Sequence, residues 1–253
     1  MRYRATVEYD GTDFAGFQLQ RNARTVQGEL EAALARLNGG RRVVVDGAGR
    51  TDAGVHAQGQ VIAFTVRREV PIAVLQRAVN ALLPRDVAIR DLRRAPARFH
   101  PRYAARYREY RYTVWNGPRS PLRERQALGL RRQLNITAMA DAASVFEGRH
   151  DFSAFGGTDR SSVRTVHMVR VREAAGLVTI DVRANAFLRG QVRRMVAGLL
   201  EVGLDRMDAS GLRSALAARE PALNGAAAPA KGLCLRRVVI GRRQTWDDKE
   251  DEE

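Results

Sequence analysis

The chain has 253 residues, a formal net charge of +15 and an isoelectric point near 11.2. At 45% hydrophobic residues it is too apolar for a disordered chain and long enough to bury a core, while its apolar runs, such as Val43 to Val45 and Val61 to Phe64, are far too short to span a bilayer. The basic excess predicts a polyanionic partner, and only Lys231 and Lys249 among the 43 basic residues are lysine; arginine grips phosphates bidentately and stacks on bases.

The elements follow in chain order. Arg2 to Tyr9 alternates, with Tyr3, Ala5, Val7 and Tyr9 on one face, which predicts a strand and no signal segment. A glycine-containing loop runs from Asp10 to Arg24. Thr25 is placed to cap a helix from Val26 to Leu37, whose stripe is Val26, Leu30, Ala33, Leu34 and Leu37. Asn38-Gly39-Gly40 stops it. Strands are predicted at Arg42 to Val45, Gln60 to Val66 and Val87 to Leu92, with a helix opened by Pro71 and running to about Leu83. The order is strand, helix, strand, strand, helix, strand, a ferredoxin-like unit.

The second half repeats that order without evident sequence identity. Strands are predicted at Tyr107 to Trp115, Val163 to Arg172, Leu177 to Arg183 and Leu233 to Ile240. Helices are predicted at Ile136 to Glu147, capped by Thr137, at Gln191 to Val202 and at Asp208 to Arg219. The expected fold is α+β, two ferredoxin-like or RRM-like units with a central, largely antiparallel sheet and a basic cleft. The domains are read as 1–100 and 101–245, joined near Ala95 to Ala105, followed by an acidic, disordered tail at 246–253.

Cys234 is the single cysteine, flanked by Leu233 and Leu235, and reads as a small buried side chain. The four histidines are scattered, so no protein-built metal site is expected. The chemistry-bearing segment is Gly47-Ala48-Gly49-Arg50-Thr51-Asp52-Ala53-Gly54-Val55-His56-Ala57, between two predicted strands. Its glycines permit φ > 0 or close approach. Arg50 stands two residues before Asp52; facing the same way, the guanidinium would keep the carboxylate ionised and ready as nucleophile or base. A tight turn using Asp52 for a local backbone bond fits the same spacing. A phosphate-cradling loop fits less well, since no GxxxxGK[ST] or GxGxxG pattern opens a helix.

The string Arg50 to Ala57 closely resembles the active-site signature of the tRNA pseudouridine synthase A (TruA-type) family. Tyr9 to Gln18 resembles the family's opening segment, Thr25-Val26-Gln27 its first helix start, and Tyr110-Arg111-Tyr112 its central tyrosine strand. Asn185-Ala186-Phe187-Leu188, continuing to Val192-Arg193, resembles the approach to its late helix. Ala228 to Leu233 resembles the entry to its closing strand. The likeness runs in order from residue 2 to about 240. Two stretches depart from it: the loop Phe152 to Arg164 is short and lacks a cysteine, and Cys234 replaces an aromatic residue.

The resemblance implies isomerisation of uridine to pseudouridine in the anticodon stem-loop of tRNA, at tRNA positions 38 to 40. It implies a cytoplasmic homodimer that needs no cofactor or catalytic metal. Asp52 would be the nucleophile, Arg50 its partner and an aid to flipping the target base, and Tyr110 the ring stacked on the uracil and a possible proton acceptor. Arg193 would pair with Asp52, and Leu233 would line the uracil pocket. His56 reads as a structural hydrogen-bonding residue of the turn. Read without the family, Tyr110 and Tyr112 are core residues of a strand, Arg193 belongs to a solvated basic face, and Leu233 is core. A non-catalytic protein of two RRM-like units fits the charge and topology equally, although Gln58 to Val66 lacks the aromatic-rich pattern such modules use. A basic scaffold of a ribonucleoprotein is the third reading.

Overall fold

The computed structural model describes residues 1–67, 69–157, 161–218 and 225–241. The acidic tail at 246–253, Arg219 of the last predicted helix and residues 158–160 of the loop Phe152 to Arg164 lie outside them. The chain divides into two compact units, Met1–Tyr107 with Leu235–Glu253, and Arg108–Cys234.

The first unit opens with β1 (Arg2–Tyr9), α1 (Val26–Leu37), β2 (Val45–Gly47), β3 (His56–Thr65), α2 (Ile72–Leu82), β4 (Val87–Arg94) and the short α3 (Pro101–Ala104). Then β5 (Ala105–Trp115) leads into the second unit, with β6 (Leu128–Gly129), α4 (Ile136–Ala143), β7 (Gly148–Asp151), β8 (Val163–Ala174), β9 (Leu177–Ala184), α5 (Gln191–Gly203) and α6 (Ala209–Ala217). The chain closes with β10 (Leu233–Ile240), whose residues from Leu235 belong to the first unit.

Strands in the first unit run β4-β1-β3-β10, with β2 also on β3; in the second they run β5-β9-β8-β7, with β6 on β5. The pairs β1–β3, β1–β4, β2–β3, β5–β9, β8–β9 and β7–β8 are antiparallel, and β5–β6 is parallel. The fold is therefore mixed α+β with a largely antiparallel sheet.

The alternation read in β1 is realised: Tyr3, Ala5, Val7 and Tyr9 are 0 to 3% exposed, and their neighbours are half-buried. Each large apolar side chain taken from water in this way contributes about 1.5–3 kcal/mol. Thr25 caps α1 as expected, its hydroxyl accepting from the Gly28 amide at 3.2 Å. Leu37, assigned to the apolar stripe, is 41% exposed because it lies in the last turn, past the helix's buried contacts.

The strand expected at Arg42 to Val45 forms three residues later, at Val45–Gly47. Pairing decides this: Val45, Asp46 and Gly47 sit opposite Phe64, Ala63 and Ile62, whereas Val44 points outward at 55% exposure. The helix expected to reach Glu147 ends at Ala143, and Ser144–Phe146 tighten into a 3-10 turn. Its cap is Asn135 rather than Thr137, with the Asn135 side chain accepting from the Ala138 amide at 3.1 Å. A capping side chain accepts from an amide two or three residues on, and Asn135 stands immediately before the first helical residue whereas Thr137 lies inside the helix. In α5 the predicted stripe Val192, Met195, Val196, Leu199 and Leu200 is buried throughout. Cys234 is half-buried rather than buried.

Candidate active site

The aspartate loop begins where β2 ends and finishes where β3 begins. Thr51 turns inward, 7% exposed, and its hydroxyl shares a buried 2.8 Å hydrogen bond with the phenol of Tyr9 on β1. The backbone closes on itself through the Val55 amide, which donates to the Asp52 carbonyl at 3.2 Å. On the other side the Gln60 side chain, fully buried, donates to the Gly49 carbonyl at 2.9 Å. Asp52 itself is half-buried and Ala53 exposed.

A second segment, residues 10–18, clasps this loop from outside. The Phe17 amide donates to the Thr51 carbonyl at 3.1 Å, and the Gly54 amide donates to the Phe14 carbonyl at 3.2 Å. Two glycines make so close an approach possible. A Cβ on Gly11 would stand 2.0 Å from the Val55 carbonyl oxygen, and one on Gly16 would stand 2.8 Å from that of Thr51. Gly16 also has φ of 103°, where an L side chain is strained. His56, 6% exposed, has its Nδ1 3.0 Å from the Gly11 amide, which donates to it, and 3.2 Å from the Asp10 carboxylate. Its role in the turn is thus a hydrogen bond, as the sequence reading expected.

The clasp is held in turn by Arg24. Its guanidinium lies 4.1 Å from the Phe14 ring centroid and meets Asp86 at 2.7 Å and Glu29 at 2.9 Å. The hydrogen-bonded Asp86 carboxylate, with Glu29 behind it, raises the Arg24 pKa above its ordinary value. This cation stays charged at any working pH.

Arg50 is exposed and Asp52 half-buried, on either side of the inward-turned Thr51.

In the second unit, β5 carries the tyrosine pair. Tyr110, 9% exposed, meets Phe187 edge to face with ring centroids 5.3 Å apart. Tyr112 is fully buried, its phenol donating to the Pro229 carbonyl at 2.9 Å, and burial pushes its pKa up despite the nearby Arg193. Between them Arg111 grips Asp181 of β9 through two bonds of 2.7 and 2.9 Å. Asp181 is 4% exposed; the pair holds Arg111 protonated.

Arg193 is half-buried on the first turn of α5. Its Nε donates to the Ala228 carbonyl at 2.6 Å, and the Ala228 amide donates back to the Arg193 carbonyl at 3.0 Å. The start of α5 is fixed by Gln191, fully buried, whose side chain accepts from the Leu188 amide at 2.8 Å. Leu233 is 5% exposed at the start of β10, just past Gly232, where a Cβ would strike the Tyr112 ring. Arg193, Tyr112 and the 228–233 segment therefore form one packed cluster.

Sequence reading passed over Gln60, Gly11 and Gly16 as functional supports. A buried glutamine inside a strand pattern was the available signal for the first. For the glycines the signal was their place in the segment Tyr9 to Gln18 that resembles the family's opening; their contact with the aspartate loop, about forty residues away, left no local mark.

Among the described residues no helix is long and apolar enough to cross a membrane, and no group of three or more His, Cys, Asp or Glu is placed to hold a metal ion. Comparison with known proteins puts the chain among RNA-modifying isomerases. It belongs to the tRNA pseudouridine synthase family, whose sequence model matches residues 5–104 and 142–239, and it converts uridine in tRNA to pseudouridine. It is 42% identical over 240 residues to the tRNA pseudouridine synthase A of Syntrophotalea carbinolica, covering 93% of this chain and 95% of that one. The corresponding proteins of Geobacter sulfurreducens and Brevibacillus brevis are each 41% identical, over 92% and 94% of this chain and 96% and 99% of theirs. A crystal structure of the archaeal box H/ACA sRNP Nop10-Cbf5 complex aligns with 78% of this chain and 44% of that one, at 14% identity and a TM-score of 0.32, too low to support any inference.

Proposed function

We propose that Asp52 is the nucleophile of this isomerisation. The observation that carries the reading is the clasp: the chain before Asp52 is pinned by the Tyr9–Thr51 and Phe17–Thr51 bonds and the backbone after it by the Gly54–Phe14 bond, so Asp52 stands on a backbone fixed from both sides. The reaction exchanges the N1–C1′ glycosidic bond for a C5–C1′ bond. The C5 proton leaves, N1 takes one up, and nothing is oxidised or reduced. No cofactor is needed for that balance.

In this reading the target nucleotide is flipped out of the RNA to reach the carboxylate. Arg50, exposed beside the loop, meets the strand from which the base is extruded. Tyr110 stacks on the uracil and receives the C5 proton. Arg193 steadies the Asp52 carboxylate, and Leu233 lines the uracil pocket. The two units are ferredoxin-like and offer the RNA a basic cleft. The substrate uridines lie in the anticodon stem-loop, at tRNA positions 38 to 40, and the enzyme works as a cytoplasmic homodimer. The charge of +15 and the near-absence of lysine support an RNA partner.

The test is Asp52→Ala, assayed by mass-spectrometric mapping of pseudouridine in tRNA. Loss of product by at least about 1,000-fold, with tRNA still bound, is expected for a missing nucleophile. A variant retaining full activity removes Asp52 from that role.

A further inference from the structure

The aspartate site leaves unused a second basic feature, wholly within the second unit. Between Gly117 and Arg132 five arginines stand against a single acid, Glu124. The segment folds around Trp115 at the end of β5 and encloses a cavity of about 260 Å³ lined by Trp115, Arg119, Ser120, Arg123, Glu124 and Arg131 among others.

The cavity is built rather than incidental. The Trp115 indole donates to the Pro118 carbonyl at 2.6 Å, and the Leu130 amide donates to the Trp115 carbonyl at 2.8 Å. A Cβ on Gly117 would stand 2.7 Å from the indole, so only glycine lets the chain turn this tightly over it. The ring is thereby fixed, and the Arg123 guanidinium rests on its face, 4.2 Å from the centroid. The Ala127 amide, donating to the Arg123 carbonyl at 2.9 Å, closes the far wall.

Charge decides what fits there. Among the described residues no carboxylate lies within ion-pair distance of Arg119, Arg123 or Arg131, all three exposed. Glu124 is taken by Lys231. Three exposed guanidiniums, with Glu124 near Arg119 but hydrogen-bonded to Lys231, surround a fixed aromatic ring and match the demand of a nucleic-acid strand: phosphates for the cations and a flat guanidinium–indole stack for a base or sugar.

We infer that the Trp115–Arg123 cavity is a second RNA-binding site, holding phosphates of the substrate strand through Arg119, Arg123 and Arg131. The inference rests on the tRNA reading and adds a contact remote in sequence from the Asp52 loop. Leu122, 98% exposed on the rim, is the feature a protein partner would use instead, so self-association is measured alongside.

The experiment compares the full-length enzyme with its Arg119→Ala/Arg123→Ala/Arg131→Ala variant, titrating labelled tRNA transcript by anisotropy from 50 to 300 mM salt. Light scattering gives the mass of both. If the variant no longer neutralises three phosphates, the slope of log K against log salt falls by about 2–3 and Kd rises at least roughly tenfold near physiological salt. An unchanged slope and Kd in an enzyme that makes pseudouridine normally overturns this inference and leaves the functional reading standing. A fall in mass with unchanged tRNA slope also overturns it, identifying the surface as a contact between copies. Wild-type enzyme that binds tRNA but forms no pseudouridine defeats the functional reading instead.

Discussion

Tyr9 and Thr51, forty-two residues apart, share a buried 2.8 Å hydrogen bond that fastens the first strand to the residue before Asp52. Both side chains are shut off from water, at 3% and 7% exposure, so neither has an alternative partner in solvent. Tyr9→Phe keeps the ring's packing and leaves the Thr51 hydroxyl unsatisfied. We expect a stability loss of about 1–3 kcal/mol, the usual cost of an orphaned buried polar group. Single-turnover kinetics should show a slower chemical step with tRNA affinity little altered. Wild-type rates for the variant would show that the bond does not position the aspartate.

Gly16 and Gly39 both have positive φ, 103° and 66°, yet only Gly16 has a backbone in its way. Gly16→Ala pushes a methyl group toward the Thr51 carbonyl oxygen, and a displacement of that order near the chemistry costs about 100-fold in rate. Gly39→Ala meets nothing within 4 Å. It should cost at most about 1–2 kcal/mol of backbone strain, seen in the melting temperature, with turnover retained. Equal turnover in the two variants would dissolve the distinction.

Arg193 ties α5 to Ala228 through a 2.6 Å bond from its Nε. Arg193→Met keeps the stem and removes every donor. The Ala228 carbonyl then loses its partner, and we expect about 1–3 kcal/mol lost to denaturant, read as a lower urea midpoint at unchanged m-value. Turnover should fall by more than that loss of folded protein explains, because the same guanidinium is proposed to steady Asp52. Turnover that tracks only the folded fraction would reduce Arg193 to a structural part.

Burial holds the Tyr112 phenol neutral at pH values where a free tyrosine ionises. Its folded pKa lies above the ordinary value of about 10, so its share of stability is complete below that pH. As the pH rises past 10 the unfolded chain releases the proton first, and stability falls. Tyr112→Phe removes the bond to the Pro229 carbonyl and should lower stability at pH 8 by about 1 kcal/mol. The same variant should lose less on going from pH 9 to 11 than the wild type. Parallel stability curves through that range would contradict the assignment.

Tyr3, Ala5, Val7 and Tyr9 were legible in the sequence as one buried face because a strand repeats every two residues. Thr25 was legible as a cap because its partner amide is three residues away. The Asp52 loop stood out through its glycines and through resemblance to a family. Thr137 was misread as a cap because Asn135, two residues earlier, offers the same chemistry, and only the hydrogen bond to Ala138 separates them.

Everything the sequence determined by itself is local: periodic burial, helix starts, the basic excess and the string around Asp52. What the tertiary structure alone decided is long-range. It set the strand register that starts β2 at Val45 instead of Arg42, the grouping of Leu235 onward with the N-terminal unit, and the closeness of Gly11 and Gly16 to the aspartate loop. It also turned Arg50 outward while Thr51 turned in. The physical reason is that periodicity reports which side of an element is dry. Which distant backbone comes to lie against it depends on pairing and packing summed over the whole chain.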